Sequence, residues 1–164
     1  MDNVRGRAWR FGDHIDTDQI IPAERLTSDN MDKLGLFVFG KVNPDFAKNV
    51  EAGDIVVAGR NFGCGSSREQ APRALKQAGV SCVIAESFAR IFFRNSINVG
   101  LLPIECRIEA RDGDLLVICP DEGTITNENT GKTFAFKQYP PFIKDLIESG
   151  GLMARVRENR RCSR

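Results

Sequence analysis

The stretch Gly59-Arg60-Asn61-Phe62-Gly63-Cys64-Gly65-Ser66-Ser67-Arg68-Glu69 puts three glycines, two hydroxyls and two guanidiniums into one short loop. Glycine backbone reaches positive φ and lets a ligand come close, and the amides that open a helix point outward without internal partners. Such a loop is a ready anion site. Arg68 adds a planar fork of donors that grips a carboxylate at two points. A small anionic substrate with a hydroxyl group suits this chemistry.

The same residues have plainer uses. Ser66 followed by Glu69 has capping-box spacing, so Ser66 can simply satisfy a helix end. Pro72 argues against that: with Ser66 as cap it falls six positions in, where it breaks a backbone bond to Arg68 and distorts the opening turn. A phosphate cradle is a third use. The Gly-Lys-Ser/Thr ending of a P-loop is absent, however, and Gly63-x-Gly65-x-x-Arg68 has arginine where a dinucleotide fingerprint has glycine.

The elements around the loop place it. Ile55-Val56-Val57-Ala58 is a buried-strand run, Ser67 to Ala78 has helical character, and Ser81-Cys82-Val83-Ile84-Ala85 is a second buried strand. Together they form a βαβ unit with parallel strands and a right-handed crossover, so the loop sits at the carboxyl edge where open α/β sheets bind ligands. A helix over Phe88 to Asn98 and a strand over Leu101 to Cys106 continue the alternation. Leu115 to Cys119 and Thr133 to Phe136 then flank a turn-rich segment and read as an antiparallel pair. Pro140-Pro141 opens a last helix, Phe142 to Glu148, stopped by Ser149-Gly150-Gly151. Upstream, Ala8 to Phe11 resembles a short strand, Gly12 to Gln19 a structured loop rich in aspartate, and residues 23 to 53 loop and short helix. The expected fold class is α/β, one domain over residues 1 to 164 with a basic tail from about 155.

Composition narrows the function classes. With 23 Lys and Arg against 22 Asp and Glu, the net charge of +1 supplies no field for nucleic acid or an acidic membrane. The basic tail Arg155 to Arg164 reads as a solvated, frayed end. No apolar run approaches the roughly 18 residues of a membrane span, and Met1 to Arg7 leads into no signal-type stretch, so a cytoplasmic location is expected. The five cysteines are odd in number, widely spaced and without a Cys-x-x-Cys pair, which suggests reduced thiols and no self-contained zinc or cluster site. Cys82 and Cys119 read as small core residues and Cys64 as a packed neutral thiol, with a redox-sensitive role as the sharper use. His14, the only histidine, reads as a loop residue making local hydrogen bonds. Arg90 and Arg94 face either solvent or a subunit interface.

Longer motifs carry a resemblance. Gly63-Cys64-Gly65-Ser66-Ser67-Arg68-Glu69-Gln70-Ala71-Pro72 with Ala85-Glu86-Ser87-Phe88-Ala89-Arg90-Ile91-Phe92 resembles the 3-isopropylmalate dehydratase small-subunit family and, more widely, the swivelling C-terminal domain of aconitases. Phe11-Gly12-Asp13-x-Ile15-Asp16-Thr17-Asp18-Gln19-Ile20-Ile21-Pro22, Gly100-Leu101-Leu102-Pro103, and Gly123-Thr124-Ile125 through Gly131-Lys132 to Pro141-Phe142 follow in the family's order, and coverage runs from about Ala8 to Arg157.

The resemblance implies a swivelling β/β/α three-layer domain with a parallel βαβ core and an antiparallel C-terminal portion. It implies a hydro-lyase, which removes and re-adds water on a hydroxy-di- or tricarboxylate, active only with a large subunit. A [4Fe–4S] cluster bound by that subunit, not by this chain, acts there as Lewis acid. Ser66 is similar to the family's catalytic base, Ser67 and Arg68 to its carboxylate-binding groups, and Asp18 to an active-site aspartate, although Gln19 replaces a histidine of the aconitase stretch.

The loop Pro22 to Ser28 corresponds to the segment in which the subfamilies differ. Arg25 is a candidate for a further carboxylate, or it pairs with Glu24 or solvent. Leu26 is the candidate contact for an isopropyl group. Isopropylmalate is the first-choice substrate, in leucine biosynthesis, with homocitrate-type and dimethylmalate-type relatives as alternatives. A non-catalytic anion-binding module is the alternative of another class, and neutral charge counts against an RNA-binding regulator. Apolar surface meant for a large partner leaves the isolated chain able to self-associate.

Overall fold

The computed structural model describes residues 1 to 163. Seven strands form one sheet: β1 (Val4–Arg10), β2 (Ile55–Ala58), β3 (Cys82–Ala85), β4 (Leu102–Glu105), β5 (Leu115–Cys119), β6 (Thr124–Asn127) and β7 (Thr133–Ala135), in the order β4-β3-β2-β1-β5-β6-β7. The helices are α1 (Thr17–Ile20), α2 (Phe46–Asn49), α3 (Gln70–Gln77), α4 (Arg90–Val99), α5 (Pro141–Glu148) and α6 (Leu152–Cys162), with three short 3-10 turns between α1 and α2. Among the described residues no helix is long and apolar enough to cross a membrane.

Strand β1 is the pivot of the sheet. It runs parallel to β2, with Ala8 opposite Ile55, and antiparallel to β5, with Val4 opposite Ile118. On its β2 side every pairing is parallel, and on its β5 side every pairing is antiparallel. Residues of β2, β3 and most of β4 are buried on both faces, whereas β5 and β6 alternate. That difference is what a folded-over sheet requires.

Two hydrophobic clusters confirm the layering. Val56, Ala58, Val83 and Ala85 pack with Ala71, Ala74 and Leu75 of α3 and Phe92 of α4. The alternate residues Ile55, Val57, Cys82 and Ile84 pack with Leu116, Ile118 and Ile125 of the antiparallel half. Because side chains alternate across a strand, the parallel half is the middle layer between helices and a second sheet face. This is the β/β/α arrangement expected above.

Several expectations need correction. The turn-rich segment after β5 contains a strand of its own, β6, so Leu115–Cys119 and Thr133–Ala135 are not neighbours but flank β6. Thr124 to Asn127 alternates half-buried threonines with buried Ile125 and Asn127, and threonine and asparagine are also turn residues. Of the tail, the part within Leu152–Cys162 is helical and not frayed, though this helix has no buried residue; Arg164 lies outside the described residues. Cys119 is half-buried and not a core residue, since β5 covers only one face. The first strand begins at Val4, earlier than its apolar signal, because Val4 to Arg7 pair with β5; Gly6 there lies against the Gly53 carbonyl with no room for a Cβ.

Candidate active site at the glycine loop

The glycine loop leaves the carboxyl end of β2, and its aromatic residue anchors it. Phe62 is fully buried and meets the rings of Phe88 and Phe92 edge-on, at 6.1 and 5.2 Å between centroids. Burying such a side chain is worth about 1.5–3 kcal/mol, enough to hold the loop in one place. Asn61 and Gly63 on either side have positive φ, 56° and 83°. At Gly63 a Cβ would run into the Phe92 ring, so only glycine serves there.

Beyond this anchor the chain rises into solvent. Ser66 and Ser67 are exposed, and Arg68 keeps 21% of its side-chain surface. Helix α3 opens later than the sequence suggests: its cap is Glu69, which makes no side-chain capping bond, and its first residue is Gln70. Ser66 therefore does not cap it. Starting there puts Pro72 third in the helix, where no N–H is required, which removes the conflict posed by the proline. Among the described residues, neither the hydroxyl of Ser66 or Ser67 nor any backbone N–H from Gly65 to Arg68 has a hydrogen-bond partner.

The helix terminus that faces Ser66 belongs to another segment. A cavity of about 200 Å³ is lined by Thr17, Gly63, Ser66, Ser67, Arg68 and the opening residues of α4, Arg90, Ile91 and Phe92. Ala89 caps α4 without a side-chain bond. The opening turn of α4, the positive end of its dipole, thus borders the cavity that Ser66 lines. Arg90, which the sequence left between solvent and interface, is a wall of this cavity. Arg94, one turn on, is exposed and not among the lining residues.

The aspartate-rich segment is fastened to the loop. Asp16 bridges in parallel fashion to Cys64, the Thr17 N–H donates to the Cys64 carbonyl at 2.9 Å, and the Gly63 N–H donates to the Ile15 carbonyl at 2.7 Å. Asp16 and Gln19 form a full capping box on α1. This fixes Asp18 beside the loop. Its Oδ1 accepts the Ala23 N–H at 3.0 Å and lies 3.6 Å from Arg68, while Oδ2 accepts Lys41 Nζ at 2.8 Å. The Lys41 hydrogen bond, and after it the Ala23 amide, hold the Asp18 carboxyl below the usual carboxylate range. Lys41 has no signal in the sequence, because only the tertiary fold brings it to Asp18.

The structure gathers Ser66, Ser67, Arg68 and Asp18 at one end of the sheet but sets Arg25 and Leu26 apart from the Ser66 cavity. The Arg25 guanidinium lies 4.3 Å above the Phe37 ring and lines a neighbouring hollow of about 420 Å³ with Glu24 and Lys41. Leu26 is half-buried against the helical-side core. His14, at φ 55°, sits 3.3 Å from the Asn61 amide, a local contact. Burial pushes the Cys64 thiol up, away from the reactive thiolate. Among the described residues no three His, Cys, Asp or Glu side chains are grouped so as to hold a metal ion.

The model of the aconitase C-terminal domain matches residues 14 to 109, more than half of the chain and the whole of the site. The chain belongs to that family. Within it, the isopropylmalate/citramalate isomerase small subunit of Methanocaldococcus jannaschii is 50% identical over 92% of this chain and 91% of that protein. The homoaconitase small subunit of Methanothermobacter thermautotrophicus is 51% identical over 92% of this chain and 88% of its own length. The crystal structure of 3-isopropylmalate dehydratase from Methanocaldococcus jannaschii superposes with a TM-score of 0.92 at 41% identity, over 99% of this chain and 98% of that one. Membership in this family of dehydratases and isomerases supports a hydro-lyase role, and the small-subunit names imply a larger partner.

Proposed function

We propose that the chain is the small subunit of a 3-isopropylmalate dehydratase, which interconverts 2- and 3-isopropylmalate through isopropylmaleate in leucine biosynthesis and works only with its large subunit. The observation that carries this is the unpartnered Ser66 hydroxyl, exposed in a small cavity beside Arg68 and the opening turn of α4. The relatives' names supply the reaction class.

In this reading Ser66 Oγ takes the proton α to a carboxylate. Ser67 and the Arg68 fork hold that carboxylate, and Asp18 orders the approach of Arg68. A serine hydroxyl is a poor base, so its deprotonated form must be held. A helix dipole contributes about 0.3–1 kcal/mol when exposed and about 2 when partly buried, which is too little alone. The unspent N–H groups of Gly65 to Arg68 and the guanidinium charge add to it, and they gain strength once a partner excludes water. The [4Fe–4S] cluster, which supplies Lewis acidity at the substrate hydroxyl, is assigned to the large subunit.

A second reading has an observation of its own. Arg25 and Lys41 line one hollow next to Asp18, which would suit a substrate with a further carboxylate, as the name of the homoaconitase relative implies for that protein. Co-expression with a cluster-bearing large subunit, followed by hydration assays on isopropylmaleate, citraconate and homoaconitate, tests both. The expected result is activity of the complex, highest on isopropylmaleate, and none of the isolated chain. Preference for homoaconitate would shift the assignment to the second reading, and a complex inert on all three would overturn the function.

A further inference from the structure

Lys41 lies outside every motif of the sequence, yet it is the nearest partner of Asp18. Its Nζ is 2.8 Å from Asp18 Oδ2 and 3.5 Å from Glu24 Oε1. The backbone beneath it is fixed. Phe39, two residues earlier, has φ 57°, is fully buried, stacks on Phe11 at 4.0 Å and donates its N–H to the Ile20 carbonyl at the end of α1. The amides of Val42 and Asn43 in turn donate to the Phe39 carbonyl. The fold therefore fixes the backbone from which the Lys41 side chain reaches Asp18.

On the other side of the carboxylate, Arg68 stands 3.6 Å from Asp18 Oδ1 without a hydrogen bond to it, and its own contact is to the Ile21 carbonyl at 3.5 Å. Oδ1 is already occupied by the Ala23 N–H. A carboxylate beside a guanidinium frequently closes into a hydrogen-bonded, often bidentate pair about 2.7–2.9 Å apart. Such a pair would use up the fork that a substrate carboxylate needs. Here Lys41 on Oδ2 and the Ala23 N–H on Oδ1 hold the carboxylate from two sides, and the ion pair with Arg68 stays at 3.6 Å, outside hydrogen-bonding distance.

We propose that Lys41 is a positioning residue for the reaction: by holding Asp18 Oδ2 it keeps that carboxylate from closing on Arg68, and the guanidinium stays free for the substrate carboxylate. The role assigned to Arg68 rests on the function proposed above; the effect of Lys41 on the Asp18–Arg68 pair does not.

Lys41 keeps 46% of its side-chain surface, so replacing it leaves the core intact. The structural arm of the test is a crystal structure of the isolated Lys41→Met chain. Asp18, with Oδ2 released, should move to hydrogen-bonding distance of Arg68; a pair that stays open as in the parent overturns the inference. The kinetic arm uses the complex. An exposed ion pair is worth up to about 1 kcal/mol, so Lys41→Met should raise KM for the dicarboxylate about fivefold with kcat little changed. Lys41→Arg should restore KM, and in an Asp18→Asn background Lys41→Met should add nothing. A KM that does not move, or that moves equally without the Asp18 charge, overturns it. Should the parent complex prove inert on every substrate, the function fails while the crystallographic arm still decides the case for Lys41.

Discussion

The hydroxyl of Thr17 donates to the backbone carbonyl of Ser66 at 3.0 Å, joining two segments 49 residues apart at the point where the proposed base leaves the chain. Thr17 is 2% exposed, so this bond is made from a fixed donor to a residue otherwise standing in solvent. Thr17→Val keeps the shape and removes the donor. Loss of one such bond costs about 1 kcal/mol, or about 2–4 °C in Tm for a chain of this size. The activity of the complex should fall further than that, about tenfold or more in kcat/KM, because the Ser66 position loosens. Thermal unfolding of the chain and steady-state hydration by the complex measure the two effects; equal kinetics in the variant would show that Ser66 needs no such support.

Ser66 and Arg68 should separate kinetically. Ser66→Ala should lower kcat of the complex by about 10²–10⁴-fold, the usual contribution of a positioned general base, and leave KM nearly unchanged. Arg68→Lys keeps the charge but loses the planar fork, so KM should rise about tenfold with a smaller change in kcat. Single-substrate kinetics on both variants check this. Near-normal turnover by Ser66→Ala would remove the serine from the mechanism.

Gly63 and Gly65 both have positive φ, but their surroundings differ. A Cβ at Gly63 meets the Phe92 ring, whereas at Gly65 the nearest atom, Asp16 Cβ, is 3.5 Å away. Gly65→Ala should therefore cost only the backbone strain, about 1–3 kcal/mol, and Gly63→Ala a further 1–3 kcal/mol or so for overpacking. Denaturant unfolding of the two variants should rank them in that order.

Asn127 is fully buried and donates to Asp114 Oδ2 at 2.9 Å and to the Glu109 carbonyl at 3.2 Å. The Arg111 amide first, and then Asn127, hold the Asp114 carboxyl below the usual carboxylate range. A carboxyl depressed in the folded state contributes stability that is present above its unfolded value and is lost as pH falls through its lowered folded value. Asn127→Ala should destabilise the chain by about 1–3 kcal/mol at neutral pH. Its deficit should shrink as the pH drops below the carboxylate range, but it should not vanish, since the bond to the Glu109 carbonyl does not titrate. Urea unfolding at neutral and acid pH tests the sign.

The parallel half of the sheet was legible because its residues announce it. Ile55 to Ala58 and Cys82 to Ala85 are apolar on both faces, as expected of a doubly covered strand. The antiparallel half was half-legible. Thr124 to Asn127 buries only Ile125 and Asn127, and threonine and asparagine are also turn residues, so the pairing partner and not the local sequence made it a strand. The start of α3 was misplaced for a related reason: Ser66 and Glu69 satisfy the local capping pattern, but the burial of Phe62 and the tie from Thr17 hold Ser66 out in a loop, and Pro72 is accommodated by a later start.

By itself the sequence determined the residues that could do chemistry, Ser66, Ser67, Arg68 and Asp18, and the loop types that carry them, because glycine freedom, side-chain pKa classes and hydroxyl or guanidinium geometry are local properties. Only the tertiary structure decided which charges meet. Lys41 reaches Asp18, the opening of α4 faces Ser66, and Arg25 goes to Phe37 instead of the serine cavity. Coulombic and hydrogen-bonding partners are set by distances of a few ångströms in space, and sheet order and helix packing fix those distances between segments far apart in the chain.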